Sequence, residues 1–371
     1  MGGGGAERQL AYLAGPLITR GWAVHVALAA GGPNLRRLEA GGAVIHRLHP
    51  WTSADPRLLW QIARVVRRIK PDVIQVWFVQ MEVAAGIVAT ALRIPWILSE
   101  RSSAPAYPRT WKNRLRIAIA RHATAIVSNS SGGDLYWGEH AHPDALRFII
   151  PNALPLEEIA ATTMAVPGAL PIRAADAVIV SAGRFSSEKN LHNVLAALRR
   201  VVARPGTVAV LCGDGPLWRS LNRQIDEVGL SDRILTPGYI VDLWPLLKRA
   251  DVVVAAGTFE GRPNVVLEAM AAERPLVVSD IPAHREVLDE GSALWVNPEN
   301  PAAIAAAVLN VLDDPDAARR RAAAARTKVL QWTVSAAAAQ YDDVYRRVVI
   351  AKADTFRDTG VVNGRRTFPP R

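Results

Sequence analysis

Short runs of β-branched and aliphatic residues alternate along the chain with longer segments rich in Ala, Leu and Arg. In the first half the runs are AVHVALAA, GAVIHRLH, PDVIQVWF, PWILSE, TAIVSNS and RFIIPN. In the second half they are DAVIVSAG, TVAVLCG, RILTPGY, DVVVAAG, PLVVSD and SALWV. Apolar runs spaced by segments of helical composition predict parallel strands with helices on both faces of the sheet. Between the two series lies PNALPLEEIAATTMAVPGALPIRAAD, rich in Pro and Ala, which reads as a linker. The expected class is α/β, with two doubly wound domains over residues 1–170 and 171–335. A helix over 336–351 follows, and a polar tail over 352–371 is expected to be disordered. The first series opens on a glycine loop and a helix, so the strand that should precede them is expected upstream of residue 1. Two doubly wound domains bind ligands at the carboxyl ends of their strands and, facing each other, form a cleft.

The composition fits this organisation. The 371 residues are half apolar, enough for two cores. The longest uncharged apolar stretch, Val83 to Leu92, stops at Arg93 and is too short to cross a bilayer. The start, MGGGGAERQL, lacks the apolar core of a secretion signal. The single cysteine, Cys212, excludes an internal disulfide. These features predict a cytoplasmic protein, either free or peripheral on the inner face of the plasma membrane.

Charge adds a partner. Of the net +10, +7 falls in residues 1–170, which predicts an anionic partner there: phospholipid, a phosphorylated acceptor or nucleic acid. A compositional bias toward Arg, 38 against 6 Lys, accounts for the excess equally well. PRTWKNRLRIAIARHAT (108–124) mixes cations with Trp111, Leu115, Ile117 and Ile119. It reads either as a membrane-surface helix, basic on one side and apolar on the other, or as a helix covering a sheet.

The candidate chemistry is concentrated in the second half. In TFEGRPNVVLEAMA (258–271), the strand DVVVAAG ends at Gly257, which puts Glu260 in the loop at its carboxyl end. Pro263 suits the first helical position, where a missing N–H costs nothing. The N–H groups of Asn264, Val265 and Val266 then form an anion site facing the cleft. Glu268, one turn on, leans back toward the helix start. A carboxylate facing vicinal hydroxyls accepts two strong hydrogen bonds, a way of reading sugars. A solvated helix glutamate and a loop charge are the plainer description of the same spacing.

SAGRFSSEKNLHNVLAAL (181–198) repeats the design: a strand ending at Gly183, Arg184 and Lys189 flanking a loop, and a helix from about Asn190. Two cations beside a helix start suit a diphosphate, Arg184 forking two oxygens and Lys189 supplying a point charge. LCGDGPLW (211–218) turns sharply at Gly213, but Trp218 stands where a dinucleotide fingerprint needs glycine, so that fingerprint fails. Tyr239 and Ile240 end a strand and either flank a base or anchor a turn. Gly4 and Gly5 directly precede a helix, where glycine lets backbone N–H groups approach phosphate, or they belong to a flexible terminus.

Taken in order, GGGGAER (2–8), SAGRFSSEKNL (181–191), GDGPL (213–217), EGRPNVVLEAMA (260–271) and PLVVSDIPAHREVL (275–288) resemble the retaining nucleotide-sugar glycosyltransferases of family 4. The separation of Glu260 from Glu268 is that family's pattern, and the second half matches most densely. The resemblance implies the GT-B fold, two Rossmann-like domains facing a cleft, the first binding acceptor and the second the nucleotide sugar. It implies that Arg184 and Lys189 hold the donor diphosphate, Glu268 binds the ribose hydroxyls and Glu260 orients the donor sugar. The backbone around Asn264 and Val265 would contact sugar or phosphate, and Gly4 and Gly5 would let the facing domain close over the phosphates.

The implied reaction moves a sugar from a nucleoside-diphosphate donor, a UDP-sugar favoured, to a glycan or lipid-linked acceptor in polysaccharide or glycoconjugate biosynthesis. It proceeds with retention, without metal or cofactor, and nucleic acid is not an expected partner. Family members commonly carry a histidine after the strand matching PWILSE. This chain has SERSS (99–103), so no family role passes to Glu100 or Arg101. A sugar-nucleotide epimerase of the same fold and a non-catalytic nucleotide-sugar-binding subunit are the alternatives.

Overall fold

All twelve apolar runs form strands in the computed structural model, which describes residues 4–52, 55–166 and 170–358. The first half holds β1 (His25–Leu28), β2 (Val44–Arg47), β3 (Ile74–Val76), β4 (Trp96–Glu100), β5 (Ala125–Ser128) and β6 (Leu146–Ile149). The second holds β7 (Ala177–Ala182), β8 (Thr207–Cys212), β9 (Ile234–Gly238), β10 (Val252–Ala255), β11 (Leu276–Ser279) and β12 (Leu294–Val296). Every pairing is parallel. The second half makes one sheet in the order β12-β11-β10-β7-β8-β9. Its β8 and β11 are buried along their whole length, which is why they read as continuous apolar runs instead of alternating ones.

The first half departs from the single sheet expected. It divides into the pair β1-β2 and the sheet β3-β4-β5-β6, and no strand joins β1 to β3 among the described residues. The Gly5–Thr19 helix fastens the two parts together. Its Leu13 and Leu17 pack with Ile97 and Val127, while its Ala11 and Ala14 pack with Val26 and Leu28.

Two expectations about the ends of the domains are corrected. The Pro/Ala-rich linker contains a helix, Leu156–Ala161, and its Leu154 and Ile159 are buried in the second core with Val178 and Val180. Burial of those two side chains outweighs the loop-like composition around them. The last helix spans Val334–Asp358, so residues 352–358 are helical where a disordered tail was expected. No Gly or Pro interrupts the sequence before Gly360, which lets the helix run on. The remainder of that tail, 359–371, lies outside the described residues, as do Gly2 and Gly3 of the glycine loop.

This last helix returns to the first half. Tyr341, Val344, Tyr345 and Val348 enter the core with Leu13, Leu17 and Trp77, and Asp342 accepts a hydrogen bond from Trp22 Nε1 at 2.8 Å. In the Trp111–Ala120 helix Arg116 is buried, whereas Trp111 and Leu115 are exposed beside Lys112 and Arg114. No described helix is long and apolar enough to cross a membrane.

Candidate active site

The carboxyl ends of the first-half strands meet those of the second half, and polar contacts stitch the seam. After β4, Ser103 Oγ donates to the backbone carbonyl of Glu260 at 2.9 Å. After β5, Ser131 N donates to Glu286 Oε1 at 2.7 Å. After β6, Asn152 Nδ2 donates to Asn264 Oδ1 at 2.7 Å. From the Gly5–Thr19 helix, Arg8 Nη2 pairs with Glu268 Oε1 at 2.8 Å. The approach is close enough that a Cβ on Gly5 would collide with the Asn264 amide, and one on Gly261 with the Arg101 carbonyl.

On the second-half side, Lys189 Nζ donates to Glu260 Oε1. Lys189 ends a 3₁₀ turn, Ser187–Lys189, whose stop is Asn190 in the left-handed region; Asn190 Nδ2 bonds the carbonyls of Ala256 and Pro298 and so holds that turn against β10. Gly183, Lys189, Glu260 and Val265 line one cavity of about 20 Å³, room for a single water. Gly213 backs this loop. Its positive φ places it where a Cβ would strike the Gly183 carbonyl, and Phe185 N bonds Asp214 O at 2.9 Å. Arg184 is exposed and has no side-chain partner among the described residues.

The helix expected to begin at Pro263 begins one residue later, as Asn264–Ala271, with Pro263 at its cap. Leu267 N reaches Pro263 O at 3.1 Å, which leaves the amides of Asn264, Val265 and Val266 outside the helix's own ladder. The side chain of Val266 is buried in the core and that of Val265 packs against it, so only their backbones are placed to serve a ligand.

Glu268 is 2 % exposed. Burial raises its pKa, against the pull of Arg8. Its Oε2 is buried without a hydrogen-bond partner. A buried carboxylate oxygen left open is costly, and it can accept a hydrogen bond from water or from a ligand hydroxyl. Tyr239 stands half-exposed within electrostatic reach of Arg8 and Glu268, its hydroxyl pKa raised by partial burial. Ile240 packs against the core instead, as a turn anchor. Gly4 caps the first helix on the other side of the seam.

Comparison with known proteins agrees with this arrangement. The family described as "Glycosyl transferases group 1" matches residues 166–328, and the "Glycosyl transferase 4-like domain" matches residues 4–153. The lipopolysaccharide core biosynthesis glycosyltransferase LpsD of Rhizobium meliloti (strain 1021) is 28% identical over 339 residues, 90% of this chain and 91% of that protein. LpsE of the same organism is 28% identical over 281 residues, 74% of this chain and 75% of that protein. Among solved structures, Anabaena Alr3699/HepE in complex with UDP and glucose aligns with a TM-score of 0.81 at 21% identity, over 93% of this chain and 96% of that one. The chain belongs to the GT-B glycosyltransferases of the family 4 type.

This glycosyltransferase differs from the family where SERSS replaces the usual histidine. Glu100, fully buried, turns away from the seam and accepts hydrogen bonds from Ser102 N, Tyr107 OH, Trp137 Nε1 and Arg116 Nη2. Arg116 also pairs with the buried Glu82. This cluster fixes the loop that carries Arg101 and Ser103. Burial pushes Glu82 from an ordinary 4.5 up to about 7, outweighing the pull of Arg116, and the nearby Glu100 adds to the rise. A folded-state pKa above the unfolded one gives stability that is full below pH 4.5 and is lost as the pH rises to about 7. Glu82→Gln is therefore expected to flatten the pH dependence of the melting temperature between pH 5 and 8, removing a term of about 3 kcal/mol. Parallel melting curves for the two proteins would contradict it.

Sequence reasoning passed over Arg8, Asn152, Arg262 and Glu286. Arg262 pairs with Glu286 at 3.1 Å and lies over the Trp332 ring. Arg8, Arg262 and Glu286 all lie inside quoted motifs, yet their partners are 24 to 260 positions away in the chain, so spacing carried no signal for them.

Proposed function

We propose that this glycosyltransferase moves a sugar from a nucleoside-diphosphate donor, UDP-linked, to a glycan or lipid-linked acceptor, with retention and without metal. The observation that carries the reading is the buried Glu268, its open oxygen one turn from the free amides that start its helix, with Glu260 in the loop before it paired to Lys189 of the turn after β7. Glu268 reads the ribose hydroxyls, Glu260 orients the donor sugar, and Lys189 with Arg184 holds the diphosphate. As the glycosidic bond breaks, charge grows on the leaving phosphate. Fixed cations and helix amides stabilise that charge without reorganising, and a phosphate oxygen accepts the acceptor's proton. The HepE complexes named for UDP, UDP and glucose, and UDP-glucose support the choice of base. LpsD and LpsE, named for lipopolysaccharide core biosynthesis, support the acceptor class.

A panel of nucleotide sugars followed by thermal denaturation tests the assignment. A donor at about 100 times its dissociation constant adds about 2.7 kcal/mol. If no UDP-, GDP- or ADP-sugar shifts the melting temperature, the donor assignment fails.

The same reading places the first half on the inner face of an anionic membrane. Trp51, Trp60 and Trp111 are 84%, 61% and 69% exposed, and Arg57, Arg64 and Lys112 lie over their respective rings. Tryptophan beside a cation suits the lipid interface, where the ring sinks and the charge meets headgroup phosphate. Flotation with vesicles containing anionic lipid is expected to carry the protein upward, and Trp60→Ala with Trp111→Ala to leave it at the bottom. Wild-type protein that fails to float counts against this placement.

A further inference from the structure

Arg101 stands apart from the other buried or half-buried arginines at or behind the seam. Arg8 pairs with Glu268, Arg262 with Glu286, and Arg116 with Glu82 and Glu100. Arg101 has no carboxylate within ion-pair distance among the described residues. Its Nη1 donates to Asn152 Oδ1 at 3.0 Å and its Nη2 to Tyr341 OH at 3.2 Å, and the guanidinium lies 4.0 Å from the Trp77 ring centroid. Its Nε is buried without a partner. Three neutral groups thus hold a half-buried positive charge in place, and none of them carries a negative charge to pair with it.

The position of that charge is informative. Arg101 follows β4 at its carboxyl end, and its carbonyl lies against Gly261, next to Glu260. Asn152 links its guanidinium to Asn264, the first residue of the helix that carries Glu268. Ser103, two residues on, grips the Glu260 carbonyl. The guanidinium therefore sits on the first-half side of the seam, joined to the start of the Asn264–Ala271 helix through Asn152. A fixed guanidinium with unused N–H groups is suited to fork the oxygens of a phosphate or carboxylate. An arginine kept uncompensated at such a place is completed by an anion that arrives with a ligand.

We propose that Arg101 is an acceptor-side anion receptor, so that the acceptor sugar carries a phosphate or carboxylate close to the hydroxyl that is glycosylated. This rests on the donor and acceptor sides assigned above. The diphosphate is held by the opposite wall, so the Arg101 anion belongs to the second substrate. The chemistry that recognises it is an oxyanion on a pyranose, as in a sugar phosphate or a uronic acid.

The test is a set of titrations on the full-length protein, saturated with UDP, using glucose, glucose 6-phosphate and glucuronate as probes. UDP is titrated first. Wild-type protein is expected to bind at least one of the two anionic probes tenfold or more tightly than glucose, and the better of the two tells phosphate from carboxylate. Arg101→Gln is expected to abolish that preference while leaving the affinities for UDP and for glucose within twofold. Arg101→Lys, which retains the charge and loses the fork, keeps part of the preference. A mere structural role would lower all affinities together. Equal binding of the three probes by wild type, or an unchanged preference in Arg101→Gln, overturns the proposal. If UDP itself does not bind, the donor reading fails separately, and the same tenfold criterion is applied to the protein without UDP.

Discussion

Replacing Lys189 by alanine is expected to lower the rate of donor turnover by about 10²- to 10³-fold, the usual cost of deleting one fixed charge that stabilises a transition state. The ammonium pairs with Glu260 in the loop after β10, beside the start of the Asn264–Ala271 helix, where the proposed reading puts the leaving diphosphate. Its attraction to the diphosphate grows as the glycosidic bond breaks, so the loss should appear in kcat more than in KM. Glu268→Ala should behave differently. On the proposed reading Glu268 holds ribose hydroxyls, which do not change charge during transfer, so its removal is expected to weaken ground state and transition state alike and to raise KM. Release of UDP, followed on the donor selected by thermal denaturation, measures both. A Lys189→Ala enzyme within threefold of wild type would remove the lysine from the mechanism.

The second large effect is on stability. Arg116→Met is expected to destabilise the protein by about 3–5 kcal/mol, because it leaves Glu82 and Glu100 buried without their cation. The methionine fills most of the arginine's apolar volume, so the loss reports the missing charge more than a cavity. The double variant Glu82→Leu, Arg116→Met should recover part of that loss, since an apolar pair of similar volume replaces a buried ion pair at little cost. Urea unfolding of the wild type, the single and the double variant tests this. An Arg116→Met protein as stable as wild type would overturn the assignment of that stability to the buried ion pairs.

Much of the fold was legible because its strands are buried on both faces. A doubly covered parallel strand must be apolar throughout, so β4, β5, β7, β8, β10 and β11 stand out as β-branched runs between polar helices. The linker and the tail misled for the opposite reason: their outcome rests on a few side chains, such as Leu154 and Ile159, whose partners come from elsewhere in the chain. The helix of residues 111–120 illustrates the same limit. Nothing in the segment set Arg116 apart from its neighbouring cations, and its burial depends on the two carboxylates brought to it by β4 and the Val79–Ala91 helix.

For the site, local sequence determined where the polar groups of the second half would stand. A strand that ends in glycine, a short loop and a helix start fix Lys189, Glu260 and the Asn264 amides by covalent connectivity alone, since each lies within a few residues of its strand end. The pairings across the seam were decided by tertiary structure. Arg8 with Glu268, Asn152 with Asn264, Ser103 with Glu260 and the uncompensated Arg101 depend on how two separately wound sheets are brought face to face. Electrostatic and hydrogen-bond energies fall off within a few ångströms, so groups 100 or more residues apart in the chain acquire partners only after packing has set the distance.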